Sequence, residues 1–205
     1  NERISNHKIT ANADAHIIGP KVGSSAIAFN FNGESGNYLS VADSTDWNFG
    51  TGDFTLEGWI NTTWATSNRQ TIFAQYNSGS SRWSLELESD NKRLKLNNDG
   101  VFDVNSSNDA FSAVNQWIHF AVVRASGAIK MFADGVSQTF SDYITPAGNW
   151  IDISAPLEVG RYGSLGHPLS GYLDELRISN SARYTEDFTP STTAFTSDAN
   201  TMLLI

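Results

Sequence analysis

Gly171-Tyr172-Leu173-Asp174-Glu175-Leu176-Arg177-Ile178-Ser179-Asn180 has the composition of a core strand. Strict alternation predicts that Asp174 shares an apolar face with Tyr172, Leu176 and Ile178. An ionised carboxylate on such a face needs a partner, since withdrawing it from water is costly. Two partners fit Asp174. One is a structural Ca²⁺ with further oxygen ligands from a distant loop, and the other is a set of backbone N–H groups at a strand end.

Similar short segments recur along the whole chain. The clearest alternating or apolar ones are residues 26–31, 37–41, 54–60, 71–76, 82–87, 116–124, 128–133 and 157–161. Turn-forming residues separate them, including 32–36 and the hairpin signal Asp134-Gly135. About a dozen strands without any sustained helical period predict an all-β fold, a two-sheet antiparallel sandwich or jelly roll.

One predicted hairpin carries a regular pattern of charge. A turn at Asp90-Asn91 would place Glu88 opposite Arg93 and Glu86 opposite Lys95. We interpret these residues as a solvent-facing ladder of charge pairs, each worth less than about 1 kcal/mol.

Composition limits the classes of function. The 205 residues include 13 Lys and Arg against 22 Asp and Glu, a formal charge of −9, so nucleic acid and anionic membrane are poor partners. No cysteine occurs, which excludes disulfides and Cys-ligated zinc. The apolar runs are strand-sized, so we expect no membrane insertion. Residues 1–205 are interpreted as one domain, with a core at about 26–180 and a C-terminal extension, 181–205, whose last strand pairs into the domain's own sheet near the N-terminal strands.

The motifs together carry a family likeness. Residues 26–41, 49–60, 116–124, 133–135 and 171–178 resemble laminin-G-like domains of the concanavalin A-like lectin/glucanase superfamily. Residues 182–190 are similar to the versions found in virion and tail-fibre proteins of bacteriophages. The resemblance implies a jelly roll of two curved antiparallel sheets, often with one structural Ca²⁺, and a binding or adhesive role without catalysis.

The resemblance also implies site residues. Asp174 corresponds to a common metal ligand of these domains, and the turn that begins with Asn32 and Gly33 corresponds to the loop that supplies the other ligands. Family members often have an Asp at the position of Asn32. An Asn offers calcium only a neutral carbonyl oxygen.

We therefore expect an extracellular recognition module, exposed on a phage particle and directed at cell-surface glycan, with other virion subunits as further partners. Aromatic residues in or beside loops are predicted to stack on sugars, namely Trp64, Tyr76, Trp150 and Tyr162. One alternative is a purely structural virion domain. The other is a glycoside hydrolase of the glucanase type, because Glu86, Glu88 and Asp90 approximate its series of carboxylates on one strand face.

Overall fold

The computed structural model describes residues 7–12, 16–18, 28–32, 36–64, 69–99, 102–143 and 149–205. The strands of this described part are β1 (Ile9–Asn12), β2 (His16–Ile18), β3 (Ala28–Asn32), β4 (Tyr38–Val41), β5 (Phe54–Thr62), β6 (Arg69–Ser78), β7 (Ser81–Glu88), β8 (Arg93–Asn98), β9 (Phe102–Ser106), β10 (Trp117–Ala125), β11 (Ala128–Ala133), β12 (Val136–Ser137), β13 (Phe140–Tyr143), β14 (Leu157–Val159), β15 (Ser170–Ser179) and β16 (Thr201–Leu204). Two 3₁₀ turns, Thr45–Trp47 and Gly163–Leu165, accompany them.

The strands form two antiparallel sheets, which confirms the predicted fold class. The first sheet has the order β1-β4-β14-β6-β7-β8-β9-β13, and the second has the order β12-β11-β10-β5-β15-β3-β2. Between them lies one large apolar core, to which β7 contributes Trp83, Leu85 and Leu87. Alternate residues of the same strand therefore face away from the core.

Strand β15 departs from strict alternation, and our prediction of its apolar face is wrong. A β-bulge lies between Asp174 and Arg177, where Glu175 adopts a left-handed φ of 51°. The extra residue shifts the phase of the strand, so that Leu173, Leu176 and Ile178 all lie in the core. Asp174 stands opposite Trp59 in β5, on the other face. Its carboxylate therefore does not lie among core side chains.

The bulge depends on a glycine in the neighbouring strand. A Cβ at Gly58 of β5 would lie 2.7 Å from Cδ2 of Leu176 and 3.2 Å from the Phe120 ring. Only a residue without a side chain leaves room for Leu176 to enter the core at this point.

The outer face of the second sheet is covered by the C-terminal extension, residues 181–205. Tyr184 and Phe188 pack on a small cluster that includes Phe132, and Phe188 and Phe195 both contact the ring of His119. Beneath them the buried Glu57 carboxylate accepts hydrogen bonds from Arg177 Nε at 2.8 Å and from the Tyr184 hydroxyl at 2.8 Å. This face therefore holds a buried ionic network and no open site at Glu57.

The extension ends as a strand of the same sheet. Strand β16 pairs antiparallel with β15, with Leu203 opposite Ile178, and Leu203 is fully buried. Strand β3 pairs with the preceding part of β15, from Ser170 to Leu173. The prediction that the chain end pairs into this domain's own sheet, near an N-terminal strand, is confirmed.

A candidate glycan groove on the first sheet

The outer face of the first sheet carries a polar groove above strands β6 to β9. A cavity of about 440 Å³ lies near the β7–β8 turn and is lined by Arg69, Glu88, Ser89, Asp90, Asn91, Arg93 and His167. A second cavity, of about 220 Å³, is lined by Arg69, Arg82, Ser84, Glu86, Lys95, Asn97, Asp103, Tyr162, Leu165 and His167. Because Arg69 and His167 line both cavities, we treat the two as one site, the β7 groove.

The predicted β7–β8 hairpin forms the floor of this groove. Its register is as predicted, with Glu88 opposite Arg93 and Glu86 opposite Lys95. The interpretation as a solvent-facing ladder is wrong, however, since Glu86 is only 1% exposed and Lys95 is buried. The Lys95 ammonium lies 2.7 Å from Asp103 of β9 rather than on Glu86. His167 of the β14–β15 loop lies against Glu86, and Asp103 of β9 lies against Lys95, which accounts for the burial.

Glu86 has one nearby partner on its own strand and others from different elements. Its Oε1 lies 2.7 Å from Nδ1 of His167, and its Oε2 accepts a hydrogen bond from the Ser84 hydroxyl at 3.0 Å. Arg69 Nη1 is 3.9 Å from the same Oε2. The carboxylate is thus buried with one ring nitrogen, one hydroxyl and one cation close to it.

Glu88 lies at the more open end of the groove. Arg93 Nε donates to it at 2.6 Å, Arg69 Nη2 is 3.2 Å away, and Lys95 Nζ is 3.8 Å away. Burial alone would raise the pKa of Glu88, but the hydrogen bond from Arg93 and the charges of Lys95, Arg93 and Arg69 outweigh burial and lower it. Glu88 is therefore ionised at neutral pH.

The loop between β14 and β15 forms one wall. Gly163 has a φ of 48°, and a Cβ there would lie 2.7 Å from Cβ of Tyr76, so the loop approaches β6 more closely than a side chain would allow. Glu158 of β14 holds it by accepting from the Gly163 N–H at 2.8 Å. The carbonyl of His167 accepts from the Thr71 N–H of β6 at 3.0 Å. These contacts fix the His167 ring above Glu86.

The four predicted sugar-stacking aromatics are not brought together. Trp150 is 2% exposed and packs in the core between Phe49, Phe54 and Trp83, so its assignment to ligand binding is wrong. It was misassigned because a polar loop sequence precedes it, whereas the ring fills the space between the sheets. Trp64 is half-buried under the Lys92 ammonium, 4.1 Å from the ring centroid.

Tyr162 and Tyr76 lie at the groove. Tyr162 lines the smaller cavity but is almost fully buried, and its ring packs edge-on against that of the half-exposed Tyr76 at 5.8 Å. Burial raises the pKa of the Tyr162 hydroxyl, and the charge of Glu86 adds to that effect. The group is therefore protonated at neutral pH and can donate a hydrogen bond.

Asp174 and Asn32, two of the three predicted calcium ligands, lie at separate positions along the described strands. Asn32 pairs with Ser170, four positions from Asp174, so the two residues lie about 13 Å apart along the strands. Oδ1 of Asp174 accepts from the Glu175 N–H at 2.9 Å. Gly33 lies outside the described residues, and within them no group of three or more His, Asp or Glu side chains is placed to hold a metal ion. The described backbone thus separates Asp174 from Asn32, and calcium binding stays a prediction.

Sequence reasoning missed the two residues that join the halves of the groove. Arg69 and His167 stand among polar and turn-forming residues of the sequence. Neither has a local pattern that links it to Glu86, which is 81 positions from His167. The available signal was the pair of carboxylates, Glu86 and Glu88, on one face of a strand. Carboxylates that become buried need polar partners, which can come from other parts of the fold.

Comparison with known families identifies the family of the fold. The Laminin_G_3 family model, described as the concanavalin A-like lectin/glucanases superfamily, matches residues 32–187. The chain belongs to this family. The laminin-G-like assignment made from the sequence motifs is therefore confirmed, whereas no match bears on its narrower resemblance to phage proteins. No curated protein sequence matches the chain.

Solved structures with the same fold include several binding domains. Domain 4 of AbnA, an extracellular arabinanase from Geobacillus stearothermophilus solved in complex with arabinotriose, is 20% identical with a TM-score of 0.62, and the match covers 86% of this chain and 82% of that one. A putative carbohydrate binding protein from Bacteroides ovatus is 17% identical with a TM-score of 0.60, over 97% and 51%. The binding domain of Paraclostridial Mosquitocidal Protein 1 is 16% identical with a TM-score of 0.63, over 87% and 45%.

This laminin-G-like chain spans about half the length of the last two of these structures. At such low identity the likeness shows the fold alone. Across the described residues, no helix combines the length and the apolar character needed to cross a membrane.

Proposed function

We propose that the chain is a non-catalytic module that binds glycan in the β7 groove. The observation that carries the proposal is the groove itself, a polar site built from four strands and one loop. Arg69 and His167 line both of its cavities. The superfamily is named for lectins and glucanases, and structures of the same fold include a domain solved in complex with arabinotriose and a putative carbohydrate binding protein. These comparisons support the class of ligand and do not identify it.

The size and chemistry of the groove suit an oligosaccharide. From Arg82 to Glu88 the strand floor is about 20 Å long, which accommodates several sugar units. Sugar hydroxyls both donate and accept hydrogen bonds, and the groove offers arginine donors beside carboxylate acceptors. The partly exposed ring of Tyr76, beside Tyr162, provides an aromatic surface near one end.

The carboxylates of the groove are poorly arranged for glycoside hydrolysis. A glycosidase acid needs a raised pKa so that it holds a proton at neutral pH. The hydrogen bond from Arg93 and the surrounding cations lower the pKa of Glu88 despite its burial, so this carboxyl does not have the raised pKa of such an acid. This argues for binding without catalysis.

A glycan array and a reducing-sugar assay on the same glycans test the proposal. We expect binding to a defined set of glycans and no release of sugar. Release of reducing ends, abolished in Glu86→Gln or Glu88→Gln, would overturn the non-catalytic assignment. Failure to bind any glycan would favour the purely structural alternative.

We also propose that the module works outside the cell, at the surface of a phage particle and in contact with other virion subunits. The resemblance of residues 182–190 to phage proteins is what supports this setting. Antibodies against the purified chain should label intact particles in electron micrographs. Labelling confined to the interior of infected cells would contradict it.

A further inference from the structure

The charged side chains that line the β7 groove occur in equal numbers. Four are cationic and four are anionic, His167 aside: Arg69, Arg82, Arg93 and Lys95 against Glu86, Glu88, Asp90 and Asp103. The chain as a whole carries a formal charge of −9. Neither the groove nor the rest of the protein thus supplies an excess of positive charge for an anionic ligand.

The cations on the floor of the groove are already bound to carboxylates. Arg93 lies 2.6 Å from Glu88, and Lys95 lies 2.7 Å from Asp103. A uronate or sulfate group could reach them only by displacing these carboxylates. The displaced carboxylate would then lie beside the incoming anion, and like charges at close range repel.

Arg69 is the most accessible of these four cations. Its side chain is 42% exposed, against 30% for Arg82, 13% for Arg93 and 8% for Lys95. It lines both cavities, and its Nη2 lies 3.2 Å from Oε1 of Glu88. Donor and acceptor therefore stand side by side at the centre of the groove, which suits adjacent hydroxyls of a sugar ring.

We propose that the β7 groove selects neutral glycans over anionic ones, and that Arg69 and Glu88 bind adjacent hydroxyls and set this selectivity. The inference rests on the proposed glycan-binding function. It goes further by naming the class of glycan and the residues that distinguish it.

Titration with matched trisaccharides tests the selectivity. Neutral arabinotriose, xylotriose and cellotriose are compared with trigalacturonate, and the best neutral and acidic ligands from the array are added to the set. We expect the best neutral ligand to bind at least about tenfold more tightly than the best acidic one. Its Kd should change by less than about twofold between about 50 and 500 mM NaCl, because no net charge is neutralised.

Two charge variants test the assigned residues. Arg69→Gln should weaken neutral binding by about tenfold, because the amide cannot reproduce the guanidinium contacts. Glu88→Gln gives the groove one net positive charge and releases Arg69, so acidic binding should rise by about tenfold. Lys130→Gln and Glu186→Gln make the same changes of charge on the second-sheet side of the molecule and should change neither affinity. Melting curves check that every variant is folded.

The outcomes separate this inference from the function on which it rests. Tight binding of acidic glycans that weakens steeply with salt would overturn the neutral selectivity and leave glycan binding intact. Neutral binding unaffected by Arg69→Gln would overturn the role of Arg69. Binding of no glycan, neutral or acidic, would overturn the proposed function itself.

Discussion

Nδ1 of His167 lies 2.7 Å from Oε1 of Glu86, although the two residues are 81 positions apart. The carboxylate belongs to the strand floor of the groove and the imidazole to the loop that forms its wall. Glu86 is 1% exposed, so this contact replaces part of the hydrogen bonding that water would otherwise give the carboxylate. The pair therefore fixes the loop on the sheet and defines the shape of the groove.

Replacing His167 with Ala should lower the free energy of unfolding by about 1–3 kcal/mol, because the buried Glu86 carboxylate loses a hydrogen-bonding partner. His167→Gln is the matched control, since its amide can still donate, and should retain most of the stability. Urea unfolding of the three proteins measures the difference. An Ala variant as stable as the parent would show that Glu86 does not depend on His167.

The buried Glu57 should make stability depend on pH. Burial alone would raise its pKa, but the His119 ring, whose Nε2 lies 3.6 Å from Oε2, the charge of Arg177 and the hydrogen bond from Tyr184 outweigh burial and lower the pKa below its ordinary value of 4.5. A carboxyl with a lowered folded-state pKa contributes stability that is complete above its unfolded-state pKa and is lost as pH falls through its folded-state pKa. We expect the free energy of unfolding to decline as pH falls below about 4.5.

Glu57→Gln tests this contribution. At neutral pH it should cost about 3–5 kcal/mol, because the buried Arg177 loses the carboxylate that neutralises it. The variant should also lose part of the acid dependence. Acid unfolding with the same slope and midpoint in both proteins would contradict the assignment.

The C-terminal strand should be essential to the fold. Leu203→Ala should cost about 2–5 kcal/mol, because the side chain is fully buried opposite Ile178. The neighbouring Met202 is only half-buried, so Met202→Ala is a control with a smaller effect. Deleting residues 201–205 should lower stability by several kcal/mol or give insoluble protein. A truncated chain that melts like the full one would contradict the pairing as a source of stability.

Asp174 is expected to act through the backbone of the bulge. Calcium binding through Asp174 stays a prediction, and comparing the Tm in calcium with the Tm in EDTA tests it. Asp174→Ala should cost about 1 kcal/mol or more through loss of the hydrogen bond to the Glu175 N–H. A Tm that rises with calcium in the parent but not in Asp174→Asn would instead support the calcium prediction.

Local patterns predicted local structure well. The register of Glu86 and Glu88 against Lys95 and Arg93 was correct because the turn and the cross-strand charges lie within a few residues of one another. Alternation did not predict the bulge at Glu175, because Tyr172, Asp174, Leu176 and Ile178 also fit one face of a regular strand without a bulge. Gly58, which makes room for the bulge, lies in a different strand.

The candidate site was harder to predict than the fold. The groove arises where residues about 80 positions apart meet, so no spacing in the sequence marks it. Of the aromatic residues predicted to bind sugar, Tyr162 and its neighbour Tyr76 lie near one end of the groove, whereas Trp150 is part of the core. Composition alone does not separate a ring that fills a core from one that faces solvent.

An NMR titration of the full chain with the best ligand from the glycan array, followed through the backbone and side-chain resonances, locates the glycan site directly. We expect the largest shifts at Arg69, in strands β7 and β8, and in the loop that contains Tyr162 and His167. Shifts confined to the outer face of the second sheet, where the C-terminal extension lies, would contradict the assignment of the β7 groove as the glycan site.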